Sequence, residues 1–174
     1  MHKKKQKKQQ QDPNFYDFVV AVANDQRLAS QMLQEKAEWL HATNSIGETA
    51  LHYLAIENDM AGVKFLIEKG AKIDSRSHSQ STPLMDAAQV GNVDICLLLM
   101  EKGADVNAKD DLDYTPLHYA AQAGKAELLD AMLQAGGRAD ANAEYEPSVA
   151  EVVLPRKRAL LLDVLKKHGY ALDT

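Results

Sequence analysis

The stretch TPLHYAAQAG at residues 115–124 returns at a fixed interval. Thirty-three residues earlier stands TPLMDAAQVG (82–91), and thirty-three before that TALHYLAIEN (49–58). The step forward lands on SVAEVVLPRK (148–157), where the pattern has degenerated. A second marker keeps the same interval: EKGA at 68–71, EKGA at 101–104, QAGG at 134–137 and KHGY at 167–170. Gly70, Gly103, Gly136 and Gly169 therefore share one register. Such a period restricts the chain to an array of like units, each packing on its neighbours.

Residues 110–142 show what one unit must be. Thr115 followed by Pro116 predicts a helix start, because a threonine oxygen caps free N–H groups and proline suits the first helical position. Thr82-Pro83 repeats the signal, and Thr49 keeps its capping half. The short helix LHYAAQA should end at Gly124, where the other copies carry Gly91 and Asn58. Glycine and asparagine best tolerate a left-handed backbone, so a turn is predicted there. KAELLDAMLQA then predicts a second helix with Leu128, Leu129, Met132 and Leu133 on one face. The copies supply Val63, Phe65 and Leu66, then Ile95, Cys96, Leu98 and Leu99. Gly136 stops that helix, and a long polar loop leads into the next unit.

With TALH, TPLM and TPLH followed by EKGAKID and EKGADVN, the chain resembles the ankyrin repeats over nearly its whole length beyond residue 11. The resemblance implies an all-α solenoid of helix-turn-helix units joined by long polar, β-hairpin-like loops. Three good repeats are expected at 44–76, 77–109 and 110–142, flanked by a divergent N-terminal capping repeat at 12–43 and a degenerate C-terminal one at 143–174. Asp12-Pro13 predicts the cap and first turn of the leading helix. Ile67, Met100 and Leu133 share one helix position, which the last unit fills with Lys166. A polar residue there suits an end that no further unit covers. The resemblance also gives His52 and His118 a structural role, bonding backbone between neighbouring repeats.

Few features point to chemistry. Met85 occupies the slot of His52 and His118, which a paired-histidine site would not tolerate, and His41, His78 and His168 lack partners at metal spacing. DVNAKDDLD (105–113) lacks the glycine and the final acid of a calcium loop. No phosphate-cradling loop or nucleophile elbow occurs. The single cysteine, Cys96, reads as a buried small apolar residue, and the lone Trp39 as packing within the first cap. Neither catalysis nor a cofactor is expected.

Charge is unevenly placed. The formal net charge is −5, but MHKKKQKKQQQ holds five lysines and no acid, leaving the remainder at about −10. That tail is wholly polar and is expected to be disordered. The apolar run Phe18–Ala23 is too short for a secretory signal, and no segment reaches membrane-spanning length. A cytoplasmic monomer is the expectation.

The resemblance implies that partners dock on a concave side lined by loop tips and first helices. Positions that differ between copies there are Ser45, Ile46, Glu48, Ile56 and Glu57; His78, Ser79, Ser81, Gln89, Val90 and Lys109; Asp111, Leu112, Tyr114, Gln122 and Ala123; and Glu144 and Tyr145. Leu112, Tyr114 and Tyr145 stand among Asp110, Asp111, Asp113, Glu144 and Glu146, predicting an acidic half-groove suited to a basic partner segment. The function expected is a non-catalytic protein-interaction scaffold. Two alternatives stay open: a nucleic-acid or anionic-surface adaptor using residues 3–8, and an inhibitor, immunity or effector protein acting on a partner enzyme.

Overall fold

In the computed structural model, which describes residues 14–139, 149 and 158–170, each full period becomes two short helices. Their order is α1 (Phe15–Asn24), α2 (Gln26–Glu35), a 3₁₀ turn (Ala37–His41), α3 (Ala50–Ile56), α4 (Met60–Glu68), α5 (Pro83–Val90), α6 (Val93–Glu101), α7 (Pro116–Ala123), α8 (Ala126–Gln134) and α9 (Arg158–Lys167). The first helices α3, α5 and α7 pack side by side in one layer. The second helices α4, α6 and α8 form another, which α9 extends. No strand forms among the described residues; an isolated bridge pairs Thr43 with Thr49.

The core lies between the layers. Leu51, Leu54, Leu84 and Leu117 come from the first, and Leu66, Ile95, Leu99, Leu128, Leu129 and Met132 from the second, all fully buried. Each contributes roughly 1.5–3 kcal/mol by leaving water. No helix pair could bury these side chains alone, so stability comes from stacking. Cys96 belongs to this core, and burial pushes its thiol up to about 12. Trp39 is half-buried and stacks on Phe18 with ring centres 6.2 Å apart.

Turn chemistry follows the expected positions. Gly91 and Gly124 end α5 and α7 at φ 79° and 65°, and Asn58 follows α3 at φ 57°. Gly70, Gly103, Gly136 and Gly169 are also left-handed, at φ 83–90°. The leading cap differs from expectation. Asp12 and Pro13 lie outside the described residues, and the N-cap of α1 is Asn14. Its Oδ1 accepts the N–H groups of Tyr16 and Asp17, while Asp17 Oδ2 accepts the N–H of Asn14. This reciprocal pair satisfies orphan donors at both its ends.

Buried histidines hold the starts of α3 and α7, and His52 also ties its unit to the next. The Thr49 N–H donates to His52 Nδ1 at 3.1 Å, so that nitrogen carries no proton. Nε2 therefore carries it and donates to the Ser81 carbonyl at 3.2 Å, 29 residues along the chain. Burial lowers the pKa of His52, which agrees with this neutral tautomer. His118 repeats the local half, accepting from the Thr115 N–H at 3.0 Å. In the middle copy the Thr82 N–H meets Met85 Sδ at 3.4 Å, and Met85 has no proton to donate onward. Arg76 ties that junction instead, its Nη1 donating to the carbonyls of Gln80 and Lys109, both at 2.7 Å.

Other polar staples use the loops. Asn92 Nδ2 donates to the Ala55 and Ile56 carbonyls. Asp74 accepts the Asp105 N–H; Asn107 Oδ1 accepts that of Arg138, and its Nδ2 donates to the Gly136 carbonyl. Of the acids in 105–113, Asp105 and Asp110 hold turns and Asp113 pairs with Lys109, while Asp111 is exposed. No group of three or more His, Cys, Asp or Glu suited to a metal occurs among the described residues. At the far end, Lys167 and His168 reach Asp130 at 2.9 and 2.6 Å and hold α9 on α8, while Lys166 is exposed. No helix among the described residues is long and apolar enough to cross a membrane.

Candidate partner-binding surface

Three hairpin tips rise from the loops before α3, α5 and α7. Each closes with a backbone bond across five residues: Asn44 to Glu48, Ser77 to Ser81 and Asp110 to Tyr114. The first residue of each tip uses its side-chain oxygen to hold the turn. Asn44 Oδ1 accepts the N–H groups of Ile46 and Glu48, Ser77 Oγ that of Ser81, and Asp110 Oδ1 those of Leu112 and Tyr114. Adjacent tips are joined, since the His78 N–H donates to the Ile46 carbonyl and the Asp111 N–H to the Ser79 carbonyl, each at 3.0 Å. The tips therefore form one hydrogen-bonded row rather than three independent loops.

The fourth tip position is left-handed every time: Gly47 at φ 82°, Gln80 at 60° and Asp113 at 62°. At Gly47 the requirement is double, because an added Cβ would sit 2.7 Å from the His78 backbone nitrogen. Gln80 accepts the strain of an L-residue there. Gln80→Gly is therefore expected to raise stability by about 0.5–1 kcal/mol, the relief of strain exceeding the added chain entropy. Urea unfolding at neutral pH checks this, and a loss of stability would show that the side chain contributes more than its backbone costs.

The row presents apolar groups at its ends. Ile46 is 57% exposed and Leu112 61% exposed. Between them, Ser45, His78, Ser79, Lys109 and Asp111 are exposed, with Lys109 Nζ on Asp113 at 3.0 Å. Glu57, Gln89 and Val90 are exposed at the far ends of α3 and α5, whereas Ile56, Gln122 and Ala123 are half-buried. Glu144 and Tyr145 lie outside the described residues, as does the basic tail.

Two residues sit differently from their expected place. Tyr114 is half-buried: its ring stacks on His118 at 5.3 Å and meets Tyr119 edge-on at 5.9 Å. Asp110 is not a free surface acid, because Oδ1 holds the tip and Oδ2 accepts the Tyr119 hydroxyl at 2.5 Å. Burial and that carboxylate together push the Tyr119 hydroxyl well above its ordinary range.

The column that follows the histidine slot, Tyr53, Asp86 and Tyr119, carries no capping or turn signal in the sequence. These lie on α3, α5 and α7, the row of packed first helices, and Tyr16 extends the aromatic side by meeting Tyr53 edge-on at 6.1 Å. Asp86 is only 8% exposed. Its Oδ1 accepts the Ser81 hydroxyl at 2.5 Å, and Oδ2 is the buried side-chain N or O atom left without a hydrogen-bond partner among the described residues. Burial pushes its carboxyl up to about 6; the Ser81 hydroxyl opposes this, and the nearby Glu48 carboxylate adds to it. The available signal was an acid in a column otherwise filled by tyrosine.

A family model described as Ankyrin repeats (3 copies) matches residues 18–110, and a model described as Ankyrin repeat matches 112–145. A comparison with curated proteins finds no match.

Proposed function

Because the chain belongs to the ankyrin repeat family, whose repeats are protein-interaction modules and generally non-catalytic, we propose that it is a scaffold that binds a partner protein across its hairpin tips and first helices. The partner presents a basic segment to the acids of the third tip and to Glu144. The observation that carries this reading is the bonded row of tips with Ile46 and Leu112 exposed at its ends. A surface already held by hydrogen bonds loses little freedom on binding, so modest contacts add up to useful affinity.

The test begins with capture of the partner from the native host by the full chain, followed by stopped-flow kinetics. Asp111→Lys combined with Glu144→Lys is expected to slow association by about tenfold at low salt and to flatten its salt dependence, with a smaller change in dissociation. Ile46→Ala with Leu112→Ala is expected to speed dissociation instead. Unaltered kinetics in both variants would remove the tip row from the interface.

A further inference from the structure

The Asp86 carboxylate is unlike the other acids of this surface. Asp111 is exposed to water, Asp113 pairs with Lys109, and Asp110 spends both oxygens on its own tip and on Tyr119. Asp86 is more than nine-tenths buried, yet one of its oxygens accepts nothing from the described residues. A buried acceptor without a donor normally costs about 1–3 kcal/mol, more when charged. Nearby stands a second carboxylate, Glu48, whose Oε2 accepts from Asn44 Nδ2 at 2.7 Å. Thus two acids from neighbouring repeats lie close together, and no cation among the described residues acts on Asp86.

The surroundings decide which cation fits. Ser81 and Glu48 face Asp86 from the tips, and Tyr119 from α7, with Asp110 behind its hydroxyl. Tyr53 occupies the same column on α3. His52 lies beside Glu48, kept neutral by burial, and accepts the Thr49 N–H on Nδ1. No group of three metal-ligating side chains gathers among the described residues, so the missing partner is a hydrogen-bond donor rather than a bound metal. A guanidinium is planar, weakly hydrated and stacks on aromatic rings, so it enters a nearly closed site at lower cost than an ammonium.

We propose that Asp86 and Glu48 form the anchor subsite for one arginine side chain of the partner's basic segment, laid on the column of Tyr53, Asp86 and Tyr119 to donate to Asp86 Oδ2. This rests on the scaffold reading above and deepens it from a charged surface to a defined contact. The upward-shifted carboxyl adds a consequence. The anchored arginine requires ionised Asp86, so affinity falls as pH drops through about 6, with Glu48, Asp110, Tyr119 and His52 as the other titratable groups around it.

The experiment uses the full chain at pH 7.5 and a fluorescein-labelled ten-residue peptide of alternating glycine and arginine, read by anisotropy. Wild type is expected to bind this peptide more tightly than its lysine counterpart. Asp86→Asn should weaken the arginine peptide about tenfold or more while raising thermal stability. Opposite movement of affinity and stability separates a binding role from a packing role. If Asp86→Asn binds as wild type while Asp111→Lys binds weakly, the anchor is wrong and the acidic surface stands. Equal affinity for the lysine peptide, or no binding of either peptide, also overturns the anchor, and the partner's own kinetics then judge the scaffold reading separately.

Discussion

Asp86→Asn is expected to stabilise the folded chain at pH 7.5 by about 2–3 kcal/mol and to change how stability depends on pH. The carboxyl shifts from 3.8 to about 6 on folding, chiefly because burial penalises its charge. One pKa unit corresponds to about 1.4 kcal/mol, so the ionised form destabilises the fold by roughly 3 kcal/mol. The sign follows from proton uptake. Between pH 3.8 and about 6 the folded chain holds a proton that the unfolded chain releases. The stabilising contribution of the protonated form is complete below 3.8 and is lost as pH rises through about 6.

His52 acts the other way. Its pKa is lowered by burial, so its contribution is intact above 6.5 and declines as the pH falls below it. In wild type the two groups oppose each other on mild acidification. In Asp86→Asn only the His52 part of this pair remains. Urea unfolding of both proteins from pH 4 to 8 checks the prediction: their stabilities should converge toward low pH. A constant difference would mean that Asp86 does not titrate between the folded and unfolded states. An amide at this position also offers a donor toward Glu48, which adds to the expected gain.

The second large effect is a loss. His52→Ala is expected to cost about 3 kcal/mol. The substitution strips the Thr49 N–H of its 3.1 Å acceptor inside the protein and removes the donor to the Ser81 carbonyl. An unsatisfied buried group costs about 1–3 kcal/mol, and the vacated ring volume adds a cavity term. His52→Gln should recover part of this, since a glutamine at the third helical position can still reach back to the capping N–H. Hydrogen exchange localises the effect, with protection lost first at Thr49 and around the junction of α3 with α5. Loss of less than about 1 kcal/mol would show that water replaces both bonds readily.

Much of the architecture was legible because it is written locally. A threonine, a proline and a left-handed glycine act on backbone within a few residues, so a 33-residue copy count places the helices directly. The family match over 18–145 agrees with that reading. Errors arose where two local solutions compete. Asn14 caps α1 because its side chain reaches Tyr16 and Asp17, a geometry that the Asp12-Pro13 pair only suggested. Tyr114 was placed at an exposed tip by its neighbours in sequence. The tip turns back at Asp113, φ 62°, and delivers the ring onto His118.

What the sequence determined by itself is the array: period, helix pairs, turn glycines, apolar faces and the histidine slot, all set by contacts within one unit or between adjacent ones. Only the tertiary structure decided what each polar side chain does. Asp110, Asp111, Asp113 and Asp86 are the same residue in the sequence. One holds a turn, one faces water, one pairs with a lysine, and one is buried with an oxygen unmet. The reason is that the free energy of a charge depends on the dielectric and the donors around it, and those are set by how each tip turns and how the first helices pack, not by residue type.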